Sequence, residues 1–264
     1  MMKNVLLALG AGLLFNAAAH AQDHDRLWDA VSGDHRNAAD MARNEYRNPY
    51  QTLLFMGVKA DDTVVEIFPG TGWYTGILAP YLRDDGQLIA AGYPRGDNAS
   101  DFMRRLNATY DELLASDPVY DSVEVTELTI GGEGTLAPSG SVDMILDFRN
   151  AHNWLQNDPE RMLGKWYDAL KPGGIVGIVD HRMDPSMEAG NGYIHEQTLI
   201  EVMEDNGFRY VARSNINANP QDTRNHPGGV WNLPPNVRDV PADQRHHYLA
   251  IGESDRLTMK FVKQ

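Results

Sequence analysis

Thr63-Val64-Val65-Glu66-Ile67-Phe68-Pro69-Gly70-Thr71-Gly72-Trp73-Tyr74 reads as a buried strand, a glycine turn and the start of a helix. The run from Thr63 to Phe68 is apolar, rich in β-branched residues and closed by Pro-Gly, which is the signature of a short buried strand. In such a turn the missing side chains let a ligand approach the backbone. The free N–H groups where the helix starts favour a carboxylate or a phosphate. A glycine turn also serves simply as a tight βα connection in which Gly takes a positive φ. What raises its interest is position: it follows the first strand, where doubly wound folds place a cofactor at the carboxyl edge of the sheet.

On the N-terminal side, Asp23 to Pro49 is polar with a helical period, Leu27, Trp28, Val31, Ala38, Ala39, Met41 and Ala42 being its candidate buried positions. Two helices stopped by Asn48-Pro49 are expected there. On the other side, helical patterns over Trp73 to Leu82, Asp101 to Ala115, Pro159 to Leu170 and Glu196 to Asn206 alternate with strand patterns over Gln87 to Ala91, Ser122 to Ile130, Val142 to Phe148 and Ile175 to Asp180. This alternation predicts an α/β fold, a Rossmann-like doubly wound, mostly parallel sheet with helices on both faces. Phe208 to Ser214 and Arg256 to Val262 read as two last strands. The stretch between them is rich in Asn, Pro, Asp and Gly, and a connection of about forty residues inside a compact domain is usually functional. Residues 215–248 are therefore expected to form a long lid loop, with Trp231 either covering the cleft or pinning the loop to the body.

The loops at the carboxyl edge carry most of the reactive side chains. Asp147 closes one strand and is followed by Arg149, Asn150, His152 and Asn153; Asp180-His181-Arg182 closes the next; Tyr193, His195 and Glu196 open a helix. In a parallel sheet these ends converge on one cleft. A histidine there suits general-base work because its pKa lies near working pH, although each equally suits the role of a loop tie. The donors His152, His181, His195 and Glu196 lack a short His-x-x-x-His spacing, and no metal is expected.

Together these residues reach a resemblance. Val65-Glu66 with Pro69-Gly70-Thr71-Gly72, Asp143-Met144-Ile145-Leu146-Asp147-Phe148 as fourth strand and Leu170-Lys171-Pro172-Gly173-Gly174 before the fifth resemble the class I S-adenosylmethionine-dependent methyltransferases. Glu66 to Thr75, Phe148 to Trp154, Val230 to Pro235 and Gly252 to Arg256 are more narrowly similar to a group of secreted bacterial proteins called predicted methyltransferases. The resemblance implies a seven-stranded sheet with its last strand antiparallel and S-adenosylmethionine as cofactor. It implies Glu66 near the ligand's amino group, Pro69, Gly70 and Gly72 under the methionine part, Trp73 facing it, and Phe148 and Asn150 at the cofactor site. For methyl transfer, His152 among the loop side chains is the first choice of base, with His181 and Glu196 behind it. Two positions depart from the family's pattern. Phe68 stands where a glycine is usual, and Gly92 where an acid usually holds both ribose hydroxyls; Asp97 is the nearest acid beyond it.

The chain has 264 residues, no cysteine, and 23 basic against 37 acidic residues for a formal charge of −14. The absence of cysteine excludes disulfides and thiolate chemistry. The charge disfavours nucleic acid and anionic membranes as partners and leaves small molecules, cationic ones among them. Met1 to Asn4 carries Lys3, Val5 to Phe15 is apolar with glycine, and Ala19-His20-Ala21 is an A-x-A cleavage pattern. A signal peptide over residues 1–21 and a periplasmic location are expected. The apolar stretch falls short of the roughly 20 residues needed to span a bilayer, so no stable membrane insertion is expected. The mature chain then divides into an N-terminal helical extension, 22–57, and a methyltransferase-like domain, 58–264. Three functions are open: methyl transfer from S-adenosylmethionine to a small-molecule acceptor, an exported ligand-binding protein on a methyltransferase scaffold, and an NADP-dependent oxidoreductase in which Arg95 meets a 2′-phosphate.

Overall fold

The structure, a computed structural model, describes residues 22–264; the signal peptide expected over residues 1–21 lies outside the described residues. The first strand, β1 (Thr63–Ile67), lies in the interior of the sheet and is buried on both faces, as its largely apolar run requires. It pairs in parallel with β2 (Gln87–Gly92) on one side and β4 (Val142–Phe148) on the other, Val65 lying opposite both Ile89 and Ile145. With β3 (Glu124–Glu127), β5 (Leu170–His181), β6 (Phe208–Ser214) and β7 (Arg256–Lys263) they form one seven-stranded sheet in the order β3-β2-β1-β4-β5-β7-β6. β7 alone runs against the direction of the other six strands, pairing antiparallel with both β5 and β6. This is the doubly wound sheet with an antiparallel last strand that the alternation and the resemblance predict. The order reverses between β1 and β4, so the connections leaving these strands diverge and open a crevice at their carboxyl ends.

Alternation along the strands divides the core. Val65, Ile67 and Ile145 face one side, with Trp154, Trp166, Leu199 and Phe208. Val64, Met144 and Leu146 face the other, with Ile77, Leu78, Leu53 and Leu27. On the first side pack α7 (Ala151–Trp154), α8 (Pro159–Ala169) and α9 (Glu196–Asp205). On the second pack α5 (Thr75–Leu82), a helix α1 over residues 22–32, and α4 (Pro49–Met56). The amphipathic α6 (Asp101–Ser116) starts on Ser100, whose side chain accepts from Met103 N.

Local readings shift in three places. Asp23 to Pro49 forms three helical pieces rather than two, because α2 (Ala38–Met41) and α3 (Asn44–Arg47) follow α1, and Pro49 opens α4 rather than ending the helical segment. Asn48 takes a left-handed φ of 39° between α3 and α4, as the residue types tolerant of that region allow. Lys171 to Gly174 is not a separate turn: β5 already begins at Leu170, and the register slips between Val142 and Met144, a bulge that absorbs the Pro-Gly-Gly. The 215–248 segment is ordered by its own small core of Leu233, Val237, Tyr248 and Ile251, with α10 (Arg245–Ile251) at its end. No helix among the described residues is long and apolar enough to cross a membrane.

Candidate active site

The turn after β1 keeps the backbone of a glycine turn although its first residue is not glycine. Phe68 sits at φ 43°, Gly70 at 62° and Gly72 at 84°. A side chain in that region costs about 1–2 kcal/mol; Phe68 stacks on Tyr93, centroids 4.7 Å apart and planes at 15°. A Cβ at Gly72 would come within 2.1 Å of Leu113, whereas one at Gly70 would meet nothing within 4 Å. Gly72 is thus held by packing, and Gly70 opens on a cavity of about 350 Å³ at the carboxyl edge of the sheet.

The cavity gathers most of the residues expected to hold a cofactor. Glu66, Pro69, Gly70, Trp73, Phe148 and Asn150 line it. Gly72 lies one step behind, beneath α6. Glu66 is 2% exposed and accepts from Thr75 Oγ1 at 2.6 Å. Burial pushes its carboxyl up to about 7, against the downward pull of the Thr75 hydrogen bonds. Tyr74 and Phe148 lie face to face, centroids 3.4 Å apart, and Trp73 stands edge-on to Tyr74. Trp73 is clamped from the N-terminal segment: its Nε1 donates to the Asp40 carbonyl at 3.1 Å, and the guanidiniums of Arg36 and Arg47 lie 4.9 and 4.5 Å from its ring. Asn150 works as a clasp, its Nδ2 donating to the Ile67 carbonyl and to Asp147 Oδ1. Trp231 lines the cavity from the 215–248 segment.

The three expected proton carriers separate. His152 does not itself line the cavity; its ring lies 6.5 Å from that of Trp231, which does. Its Nδ1 donates to Asp180 Oδ1 at 3.0 Å, a tautomer required by a carboxylate that only accepts, and Nε2 is left as the basic nitrogen. Burial opposes the imidazolium, but the charge and hydrogen bond of Asp180 outweigh it and raise the His152 pKa. His181 is 2% exposed, sits between Ser254 Oγ and Arg149 Nε, and is held well below its ordinary pKa by burial and by neighbouring cations. It is a neutral strut and does not line the cavity. Glu196 is elsewhere. It pairs with Arg182 at 3.4 Å and Arg213 at 2.5 Å and lines a separate cavity near the start of α9. The helix that carries it starts beyond β5 and not over the crevice, so the expectation that these loops all meet is corrected for Glu196.

His152, Asp180 and His181 do bring potential ligand atoms within 4.8 Å of one another. Asp180 accepts from the His152 ring, whereas the His181 ring is engaged separately by Arg149 and Ser254, so the two imidazoles share no hydrogen bond through their rings. Arg95, offered by the sequence to a 2′-phosphate, is held by both oxygens of Asp111 at 2.7 and 2.8 Å.

What the sequence reading passed over is the cluster of arginines. Arg43 and Arg47 line the cavity together with Arg149. Arg47 is 7% exposed. Their common partner is Glu253, 2% exposed, which belongs to the quoted but unassigned run Gly252 to Arg256. That run is a knot: Glu253 holds Arg43, Arg47 and Arg256, Ser254 holds His181, and Asp255 holds Arg182 and Arg224. The cavity lining thus carries more guanidinium than carboxylate, against the sign of the overall charge.

Solved proteins share this fold. A SAM dependent methyltransferase from Aquifex aeolicus superposes with TM-score 0.58 at 16% identity, over 84% of this chain and 93% of that one. Geranyl diphosphate C-methyltransferase from Streptomyces coelicolor A3(2), solved with Mg2+, geranyl diphosphate and S-adenosyl-L-homocysteine, gives 0.57 at 12%, over 89% and 85%. The chain has the class I methyltransferase fold. The 4+2 cyclase SpnF is equally similar, TM-score 0.57 at 14% identity over 93% and 94%, so this fold carries more than one chemistry. No family model matches the chain, and no curated protein matches its sequence.

The residues fit S-adenosylmethionine over part of its length. A carboxylate at Glu66, the open turn at Gly70 and the aromatic wall suit the methionine part. At the end of β2, Gly92 supplies no carboxylate, and Tyr93 stacked on Phe68 supplies an apolar face instead.

Proposed function

We propose that the chain is an exported, periplasmic enzyme that transfers a methyl group from S-adenosylmethionine to a small-molecule acceptor. The observation that carries the reading is the cradle at Gly70, a left-handed turn open to a cavity whose wall is Glu66. S-adenosylmethionine supplies an electrophilic methyl on a sulfonium, which a nucleophile displaces in line. The chain's part is then to bind, orient and deprotonate. Glu66 receives the donor's ammonium in its ionised form. The Tyr74–Phe148 stack and Trp73, fixed by Asp40 and two arginines, give a rigid wall against which donor and acceptor are oriented. Trp231 excludes water from above. His152 takes the acceptor's proton on Nε2 while Asp180 holds its Nδ1 proton.

A second reading, a ligand-binding protein on this scaffold, is favoured by the end of β2, where a ribose finds no carboxylate. Calorimetry and thermal shift with S-adenosylmethionine, S-adenosylhomocysteine and NADP separate the two. Micromolar binding of either adenosyl ligand supports the enzyme. Binding of none of the three leaves the ligand-binding reading.

A further inference from the structure

The cavity wall holds more guanidinium than carboxylate. Arg43, Arg47 and Arg149 line it, and Arg256 lies in the small recess directly behind with Arg47 and Arg149. Glu253 is the carboxylate they share, taking Arg43 Nε at 2.6 Å, Arg47 Nε at 3.3 Å and Arg256 Nη2. Arg149 has no carboxylate partner among the described residues; its Nε donates to His181 Nε2 at 3.3 Å and its two Nη groups make no hydrogen bond. Arg43 Nη2 is buried without a partner. Burial and mutual repulsion lower Arg47 to about 9 and Arg149 to about 10.

In a chain of net charge −14 such a concentration of cations is no by-product of composition. Guanidinium N–H groups left without a protein acceptor, the buried Arg43 Nη2 and the Nη groups of the half-buried Arg149, favour an anion, and their planar forks match carboxylate and phosphate oxygens. Beside them stand the flat faces of Tyr74, Phe148 and Trp231. We propose that Arg43, Arg47 and Arg149 form an oxyanion site that holds the carboxylate or phosphate head of the acceptor, with an apolar or aromatic body against the adjoining rings. The word acceptor rests on the methyl-transfer reading; the anion site does not. One donor brings one carboxylate and needs Glu66 for its ammonium, which leaves an excess of guanidinium for a second ligand.

The test is calorimetry of the purified protein with benzoate and phenyl phosphate against their neutral counterparts benzamide and phenol, with and without saturating S-adenosylhomocysteine. The expected result is anion binding about tenfold or more tighter than the neutral counterparts, undiminished by S-adenosylhomocysteine. Arg149→Met then weakens the anions about tenfold while S-adenosylhomocysteine binding is unchanged, and Arg149→Lys retains part of the affinity, which guards against loss of folding. Equal affinity for anions and neutral counterparts overturns the proposal. Displacement of the anions by S-adenosylhomocysteine also overturns it, since the arginines then serve the donor's carboxylate. Anion binding with no S-adenosylhomocysteine binding keeps the anion site and removes the methyl-transfer reading, so the two failures are distinct.

Discussion

Asp180 accepts a hydrogen bond from Nδ1–H of His152 at 3.0 Å and, with its other oxygen, one from the backbone N–H of the same residue at 2.9 Å. Two contacts from one carboxylate hold both the ring and the start of α7, so the orientation of Nε2 follows from the end of β5. Because the base acts in its neutral form and its pKa is raised above the ordinary 6.5, methyl transfer should increase with pH through that raised value. His152→Ala should lower kcat about 100-fold or more with S-adenosylhomocysteine affinity unchanged. Asp180→Asn should shift the pH profile to lower pH. Undiminished turnover by His152→Ala would show that another group takes the proton.

Glu66 titrates at about 7 in the folded protein against an ordinary 4.5. The folded state therefore binds the extra proton between these values, and stability falls as pH rises through that window. Glu66→Gln removes this dependence and should raise stability above pH 7 by about 1–3 kcal/mol, read from urea denaturation. It should also weaken S-adenosylhomocysteine. In the wild type that affinity should rise as pH passes through about 7, because only the ionised carboxylate pairs with an ammonium.

Gly92 ends β2 with room for a side chain: a Cβ there meets Thr126 O at 3.6 Å and Val125 at 4.0 Å, ordinary contacts, and its φ is not left-handed. Gly92→Asp should install the missing ribose carboxylate and tighten S-adenosylhomocysteine about tenfold by calorimetry, from charge-assisted hydrogen bonds of about 1.5–3 kcal/mol less the cost of burial. An unchanged affinity means that the ribose does not lie at this strand end.

Glu253 is held below the usual carboxylate range by the charges of Arg256 and Arg47 and by the Arg43 hydrogen bond, which together overcome its burial. A depressed pKa contributes stability above the unfolded value near 4.5 that is lost as pH falls through the folded one. Glu253→Gln leaves the arginines without their shared carboxylate and should cost about 3–5 kcal/mol at neutral pH. A smaller loss at acidic pH, measured by urea denaturation, completes the check.

Strands, their parallel order and the glycine turn were legible in the sequence because they arise from local periodicity and turn chemistry. The run from Thr63 to Tyr74 placed the crevice, and the resemblance named Glu66, Gly70, Trp73 and Phe148 at it, all four of which line the cavity. Phe68 and Gly92 were legible as departures, yet only the structure showed Phe68 in a left-handed backbone stacked on Tyr93. What tertiary structure alone decided is the charge at the cavity and the partition of the proton carriers. Arg43 reaches Glu253 across 210 positions of chain, and such a contact leaves no periodic trace. A net charge is a sum over the molecule and carries no information about where buried arginines converge. The sequence likewise set Glu196 beside His152 and His181 in type, and the path of the chain beyond β5 turned it toward Arg182 and Arg213, because burial and ion pairing are settled by neighbours in space.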